Sequence, residues 1–228
     1  GMFARLNWNY RNIYFLEFSG RYDGSSRFAP DNRWGFFPSF SAGYDISRTP
    51  YFTKLNLPVS QLKVRVSYGR LGNQNGAGLY DYLGVMTLDP NNVNAWLLPG
   101  TGNKPAKGTI SLTPKMISPY ITWEKVDNAN IGLDLMLFDD RLSVTFDAYQ
   151  RMTKDMIGPA EAIPAVSGIV PDDRAKINNA TLRNRGWELS VNWQDKLKCG
   201  FSYGIGFNLF DYKAVVTKYN NPEGIIYN

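Results

Sequence analysis

The chain has 228 residues, with 25 Lys and Arg against 20 Asp and Glu, no His and a single Cys. No apolar run reaches the roughly 18 residues of a membrane helix. One cysteine cannot close an internal disulfide, and without His the usual zinc sites and His-based catalysis have no residues to draw on. The net charge of +5 is spread along the chain rather than clustered, which argues against a nucleic-acid partner. What stands out is the aromatic content of 14 Tyr, 13 Phe and 6 Trp.

The dominant sequence period is two, the signature of β-strands with unlike faces. Taken in chain order, alternation predicts eight strands, at Ala4 to Tyr10, Ile13 to Asp23, Phe36 to Ile46, Leu62 to Gly69, Asn130 to Leu137, Leu142 to Tyr149, Trp187 to Trp193 and Phe201 to Leu209. One face of these segments, running from Ala4, Leu6 and Trp8 to Phe207 and Leu209, comprises 36 positions, none of them charged. The other face comprises 31 positions, of which nine are charged. So clean a division predicts an antiparallel sheet that is apolar on one side and wet on the other.

The connections are unequal. Arg11–Asn12, Phe138 to Arg141 and Gln194 to Lys198 are short, and Thr49 to Gln61 is of middling length. At the opposite end, 24–35, 71–129 and 150–186 are long. Short turns at one end and long loops at the other form the pattern of an outer-membrane barrel. Aromatics such as Trp8, Tyr14, Tyr44 and Trp193 near the short turns, and Tyr22, Tyr68 and Trp187 near the long loops, suit the two bilayer interfaces. The competing reading of the same pattern is the aromatic core of a soluble β-sandwich.

Several stretches carry more than pattern: RYDGSSRF from Arg21, GRLGNQ from Gly69, WEK from Trp123 and RNRGWE from Arg183. With their surroundings they resemble the barrel of SusC/RagA-type TonB-dependent outer-membrane transporters over most of residues 3–210. The resemblance implies an all-β fold: an antiparallel up-and-down meander of about eight strands, forming part of a transmembrane β-barrel of about 22 strands. It implies import of a large nutrient, an oligosaccharide or a peptide. The implied partners are outer-membrane lipid, a SusD-like surface lipoprotein and the TonB complex, with no cofactor. GMFARLNWNY has neither a basic nor an apolar leader region, and no plug or TonB-contacting box is legible. Residues 1–228 are therefore expected to be one portion of such a barrel domain, acting as part of a longer protein in the Gram-negative outer membrane. The alternative is a stand-alone small barrel or a soluble β-sheet binding module, since eight strands suffice to close a small barrel.

In a barrel, Glu17, Arg21, Lys63, Arg65, Asp134, Asp147 and Glu188 are expected to face the lumen, because charge at mid-bilayer costs about 2–4 kcal/mol. They are expected to form a lattice of ion pairs, Asp134 with a nearby Arg or Lys. Tyr80, Tyr82, Trp96 and Tyr120, in the longest loop, are candidates for contact with substrate or partner, since exposed aromatics stack on sugars and fill pockets. The 153–180 loop is the second source of such contacts. Asp23-Gly-Ser-Ser reads as turn chemistry, and the glycines of 69–74 as a strand end and a tight approach. Carboxylate pairs occur without glycosidase context, and no enzyme activity is expected. Asp31, Asp81, Asp89, Asp172 and Asp173 lack the spacing of a calcium loop, and no metal site is assigned.

Overall fold

In the computed structural model, residues 1–55, 57–84, 116–159, 166 and 174–219 are described, with the backbone of four two-residue strands between 88 and 111. The main elements in chain order are β1 (Met2–Tyr10), β2 (Tyr14–Gly24), β3 (Trp34–Asp45) and β4 (Val59–Asn73). Four short strands follow: β5 (Leu88–Asp89), β6 (Leu97–Leu98), β7 (Ala106–Lys107) and β8 (Ile110–Ser111). The chain then returns to the sheet with β9 (Glu124–Leu137), β10 (Leu142–Pro159), β11 (Lys176–Lys196) and β12 (Ser202–Tyr219). The eight long strands form one sheet in the order β1-β2-β3-β4-β9-β10-β11-β12, each antiparallel to its neighbours. This is an up-and-down meander. It is open, with β1 and β12 at its two edges, so these eight strands do not close on themselves as a small barrel.

Local chemistry explains the tight ends. Between β1 and β2, Arg11 and Asn12 both take positive φ, 55° and 54°, the twist a tight hairpin requires. The Asn12 amide donates to Asn9 Oδ1 at 3.0 Å and Ile13 N donates to the Tyr10 carbonyl at 3.0 Å. The β11–β12 turn places Gly200 at φ 93°, where a Cβ is strongly disfavoured. The β3–β4 connection folds into short helical turns at Ile46–Arg48 and Pro50–Thr53.

The strands differ from the sequence expectation chiefly at the long-loop end. β4 extends to Asn73, β9 begins at Glu124, β10 reaches Pro159 and β11 begins at Lys176. Both ends of the predicted 153–180 loop, 153–159 and 176–180, are thus strand. The cause is visible in the register. Beyond Tyr68 and Trp187 charged residues appear on both faces, so the alternation fades while backbone pairing continues. At the short-turn end, Ile46 opens a helical turn and Phe201 precedes β12, so neither extends a strand as expected.

None of the 36 positions of the apolar face is buried. Leu6, Phe18, Phe36, Ile131, Ile205 and Phe207 are each at least half exposed. Among the described residues, the sheet therefore has no core on that side. The compact core lies on the opposite, polar side at the long-loop end, where Phe28, Phe37, Ala77, Ile121 and Trp123 are buried and Ile157 packs against them.

Candidate functional site

The site is built from the polar face and from the loops that fold over its outer end. All seven predicted polar-face residues lie on this face, as the register requires. Lys63 pairs with Asp45 and Asp134, and the row Arg65–Gly132–Asp147–Glu188 crosses four strands. The ion pairs follow geometry rather than simple opposition. Arg65 Nε donates to Asp134 Oδ2 at 2.7 Å, and its Nη2 reaches Asp147 Oδ2 at 3.2 Å. Gly132 makes this crossing possible, since a Cβ there would lie 2.5 Å from Asp147 Oδ1 and 2.7 Å from Arg65 Nη2. Lys63, although directly opposite Asp134, instead holds its ammonium 4.5 Å from the Phe15 ring centroid. Glu17 pairs with Arg5 at 3.5 Å, and Arg21 with Asp23 at 3.0 Å. Glu188 stands directly opposite Asp147, whose charge is drawn the other way, toward Arg65.

The Arg65 side chain is 36% exposed but serves two carboxylates, so its loss has a defined consequence. Arg65→Met removes the guanidinium that Asp134 and Asp147 share, and is expected to cost about 1–2 kcal/mol after allowing for solvent screening. Adding Asp147→Asn is expected to recover part of that loss. Urea midpoints in a lipid environment measure both changes. An unchanged midpoint in Arg65→Met contradicts the assignment.

At the long-loop end three segments distant in sequence converge. Phe28 is fully buried, 5.1 Å from Trp123 between ring centroids, and Phe37 meets the same indole edge-on at 5.3 Å. Trp123 Nε1 donates to the Arg33 carbonyl at 3.0 Å and Arg27 Nη1 to the Ala77 carbonyl at 2.7 Å. Glu124 is buried and accepts from Asn73 Nδ2 at 2.5 Å and from the Ile157 amide at 2.9 Å, which ties β4, β9 and β10 together. Gly72 admits the Phe37 ring, which a Cβ at that position would overlap. The tight approach expected of the 69–74 glycines is therefore present, although the strand continues through Asn73. Asp23 and Gly24 close β2, and Ser25, inside the same turn, is buried with its amide bonded to the Arg33 carbonyl at 3.1 Å.

Of the four predicted contact aromatics, three are described. Tyr80 is exposed and takes a positive φ of 61°, and Tyr120 is 84% exposed. Tyr82 turns inward, its hydroxyl 3.5 Å from Arg33 Nη2. Trp96 lies outside the described residues. The segments carrying the three are joined. Ser118 N donates to the Asp81 carbonyl at 3.4 Å, Lys176 pairs with Asp81 at 3.2 Å, and Asn32 Nδ2 donates to the Pro119 carbonyl at 3.2 Å. Leu79 and Ile117 add exposed apolar surface beside them. Sequence reasoning missed the residues that fix this platform, Phe28, Phe37, Trp123 and Glu124. The one available signal was Phe37, a ring on the charged face.

The comparisons with known proteins agree with this geometry. The family model "TonB dependent receptor-like, beta-barrel" matches residues 1–227. TonB-dependent receptor SusC of Bacteroides thetaiotaomicron is 32% identical over 218 residues, covering 95% of this chain and 20% of SusC. TonB-dependent receptor P3 of Formosa agariphila is 30% identical over 224 residues, covering 98% of this chain and 20% of P3. Among solved structures, the RagAB peptide importer superposes with a TM-score of 0.77 in its "closed-closed" state and 0.78 in its "open-open" state. The sequence identities are 27% and 26%, covering 97% and 98% of this chain and 23% and 22% of the matched chain. The chain thus spans about a fifth of the length of these relatives. Uncharged exposed face, meander and family match agree: the chain belongs to the TonB-dependent receptor-like β-barrel family, whose members are transporters rather than enzymes.

Proposed function

We propose that this chain is a section of the barrel wall of an outer-membrane transporter that imports a large nutrient, an oligosaccharide or a peptide. The single observation that carries the reading is the two-sidedness of an open sheet, with 36 uncharged positions, none of them buried, on one face and an ion-pair lattice on the other. In the hydrocarbon such a face is favourable and a charged one is not. β1 and β12 then continue into further strands of a larger barrel, since an unpaired edge cannot stand in lipid. At about 3.3 Å per residue, the 21 residues of β11 extend to roughly 70 Å, well beyond a hydrocarbon core of about 30 Å. The outer halves of β10, β11 and β12 therefore rise above the bilayer as a wall around the entrance.

Glu17, Arg21, Lys63, Arg65, Asp134, Asp147 and Glu188 line the lumen on this reading. Tyr80, Tyr82 and Tyr120, with Trp96 in the same loop, meet the substrate or a SusD-like lipoprotein seated over the entrance. Energy comes from the TonB complex acting on another part of the whole protein. The names of the relatives support the partner and the transport class, and the substrate follows from neither.

The test is growth of a strain lacking the whole protein on single oligosaccharide and peptide sources, with complementation. Loss of growth on one such source, restored by the wild type and reduced severalfold by Tyr80→Ala/Tyr120→Ala, is the expected result. Growth unaffected on every large nutrient, with normal use of small sugars and amino acids in both strains, overturns the transport reading.

A further inference from the structure

The apolar face has a boundary at its outer end, and the residues there do not fit a plain hydrocarbon surface. A shallow groove of about 530 Å³ crosses this face where β9 and β10 present Ala129 and Ala148, flanked by the larger Phe40, Tyr68 and Ile131. Its outer end is closed by Gln150 and Arg185. Arg185 Nε donates to Gln150 Oε1 at 2.5 Å, which fixes the guanidinium and leaves its two terminal nitrogens directed elsewhere. On the neighbouring strand the direct partner of Arg185 is Lys213. Both are exposed. Like charges directly opposite on a sheet are unfavourable, and an anion between them removes the conflict. Arg183 lies two pairs further out, and the carboxylate on this face of β12 is Asp211, two pairs further in, opposite Trp187. On the far side of the groove Arg70 and Lys154 share Asp127, at 2.6 Å and 2.9 Å, and leave one positive charge over.

We propose that this groove binds a phosphate-bearing lipid of the outer leaflet, with an acyl chain over Ala129 and Ala148 and the phosphate between Arg185 and Lys213. The inference rests on the membrane reading above and adds a specific ligand class to it. The depth is consistent. The cations stand two residue pairs above Trp187 and level with Tyr68, where headgroups begin if those rings mark the interface. The small side chains of Ala129 and Ala148 provide the width that a chain needs, and the flanking aromatics its contact surface.

The whole outer-membrane protein, placed in bilayer nanodiscs of phosphatidylcholine with added lipid A, tests this by native mass spectrometry. Phosphorylated lipid A is expected to remain bound, and the same lipid without phosphate to be lost. Arg185→Ala/Lys213→Ala is expected to lower the retained fraction about tenfold or more. Ala148→Phe, which fills the groove and keeps both cations, is expected to lower it too. Equal retention of the two lipids, or retention unchanged in the double variant, overturns the proposal. Quenching of tryptophan by brominated phosphatidylcholine in the same samples reports insertion independently. Quenched protein without phosphate preference sinks the lipid site alone, whereas absence of quenching sinks the membrane reading on which it rests.

Discussion

Leu133→Arg is expected to destabilise the membrane-embedded protein by about 2–4 kcal/mol, the cost of a cation on a lipid face near the bilayer midplane. Leu133 lies at the middle of the apolar face, in the row Val64–Leu133–Phe146–Leu189–Leu209. No carboxylate occurs in that row, so the arginine has no partner except by reaching toward an interface. Thr145→Arg is the matched control. Thr145 is next to Phe146, the direct partner of Leu133 on β10, but on the polar face and directly opposite Asp134, and a cation there joins the existing lattice at little cost. Urea-dependent unfolding in lipid vesicles measures both. The expected result is a large loss for Leu133→Arg and a near-neutral Thr145→Arg. A soluble β-sandwich whose core is the apolar face gives a large loss for Leu133→Arg as well. The two readings separate when the lipid is removed: exposing the apolar face to water without detergent is expected to aggregate the wild type.

Phe28→Ala is expected to remove about 3–5 kcal/mol of loop docking, the range for truncating a buried phenylalanine. Phe28 is fully buried, and its ring packs on Trp123, whose Nε1 also donates to the Arg33 carbonyl of the same 24–33 segment. Its loss is expected to uncouple Arg27 from Ala77, and Arg33 from Tyr82 and Trp123, on neighbouring segments. Amide exchange is expected to quicken at Ser25 and Ala77, whose hydrogen bonds to Arg33 O and Gln74 O belong to this cluster. Exchange within the paired centres of β10 and β11 is expected to stay unchanged, because those strands are held by backbone pairing and not by the loop core. Equal quickening in both regions, or in neither, contradicts a local core that organises the entrance.

The sheet was legible in the sequence wherever its two faces meet different surroundings. Val64, Leu133 and Phe146 alternate with Arg65, Asp134 and Asp147, and these strands were predicted in the right order and pairing direction. Legibility ended where both faces become wet. The outer half of β11, from Lys176 to Arg185, carries Arg183 and Arg185 on one face and Asn184 on the other, and no period survives to announce a strand. The loop core was illegible for a different reason. Phe28, Phe37 and Trp123 come from three separated segments, and a ring on the polar face is an ambiguous signal. Phe15 is also such a ring, yet it serves Lys63 rather than a core. The ion pairs were legible in kind but not in detail. Asp134 was expected to pair with a nearby Arg or Lys; the register sets Lys63 directly opposite it, yet the absence of a side chain at Gly132 gives both Asp134 and Asp147 to Arg65.

The most direct measurement of the central claim is cysteine accessibility along β10 of the whole protein in its native membrane, with Cys199, which is exposed, replaced by Ser. Single cysteines are placed at Ser143, Val144, Thr145, Phe146, Asp147 and Ala148, and probed with a water-soluble maleimide. The account predicts strict alternation, with positions 143, 145 and 147 reacting from the water-filled side and 144, 146 and 148 protected by lipid. Uniform reactivity along the strand, or the opposite alternation, would contradict a barrel wall with lipid on its uncharged face.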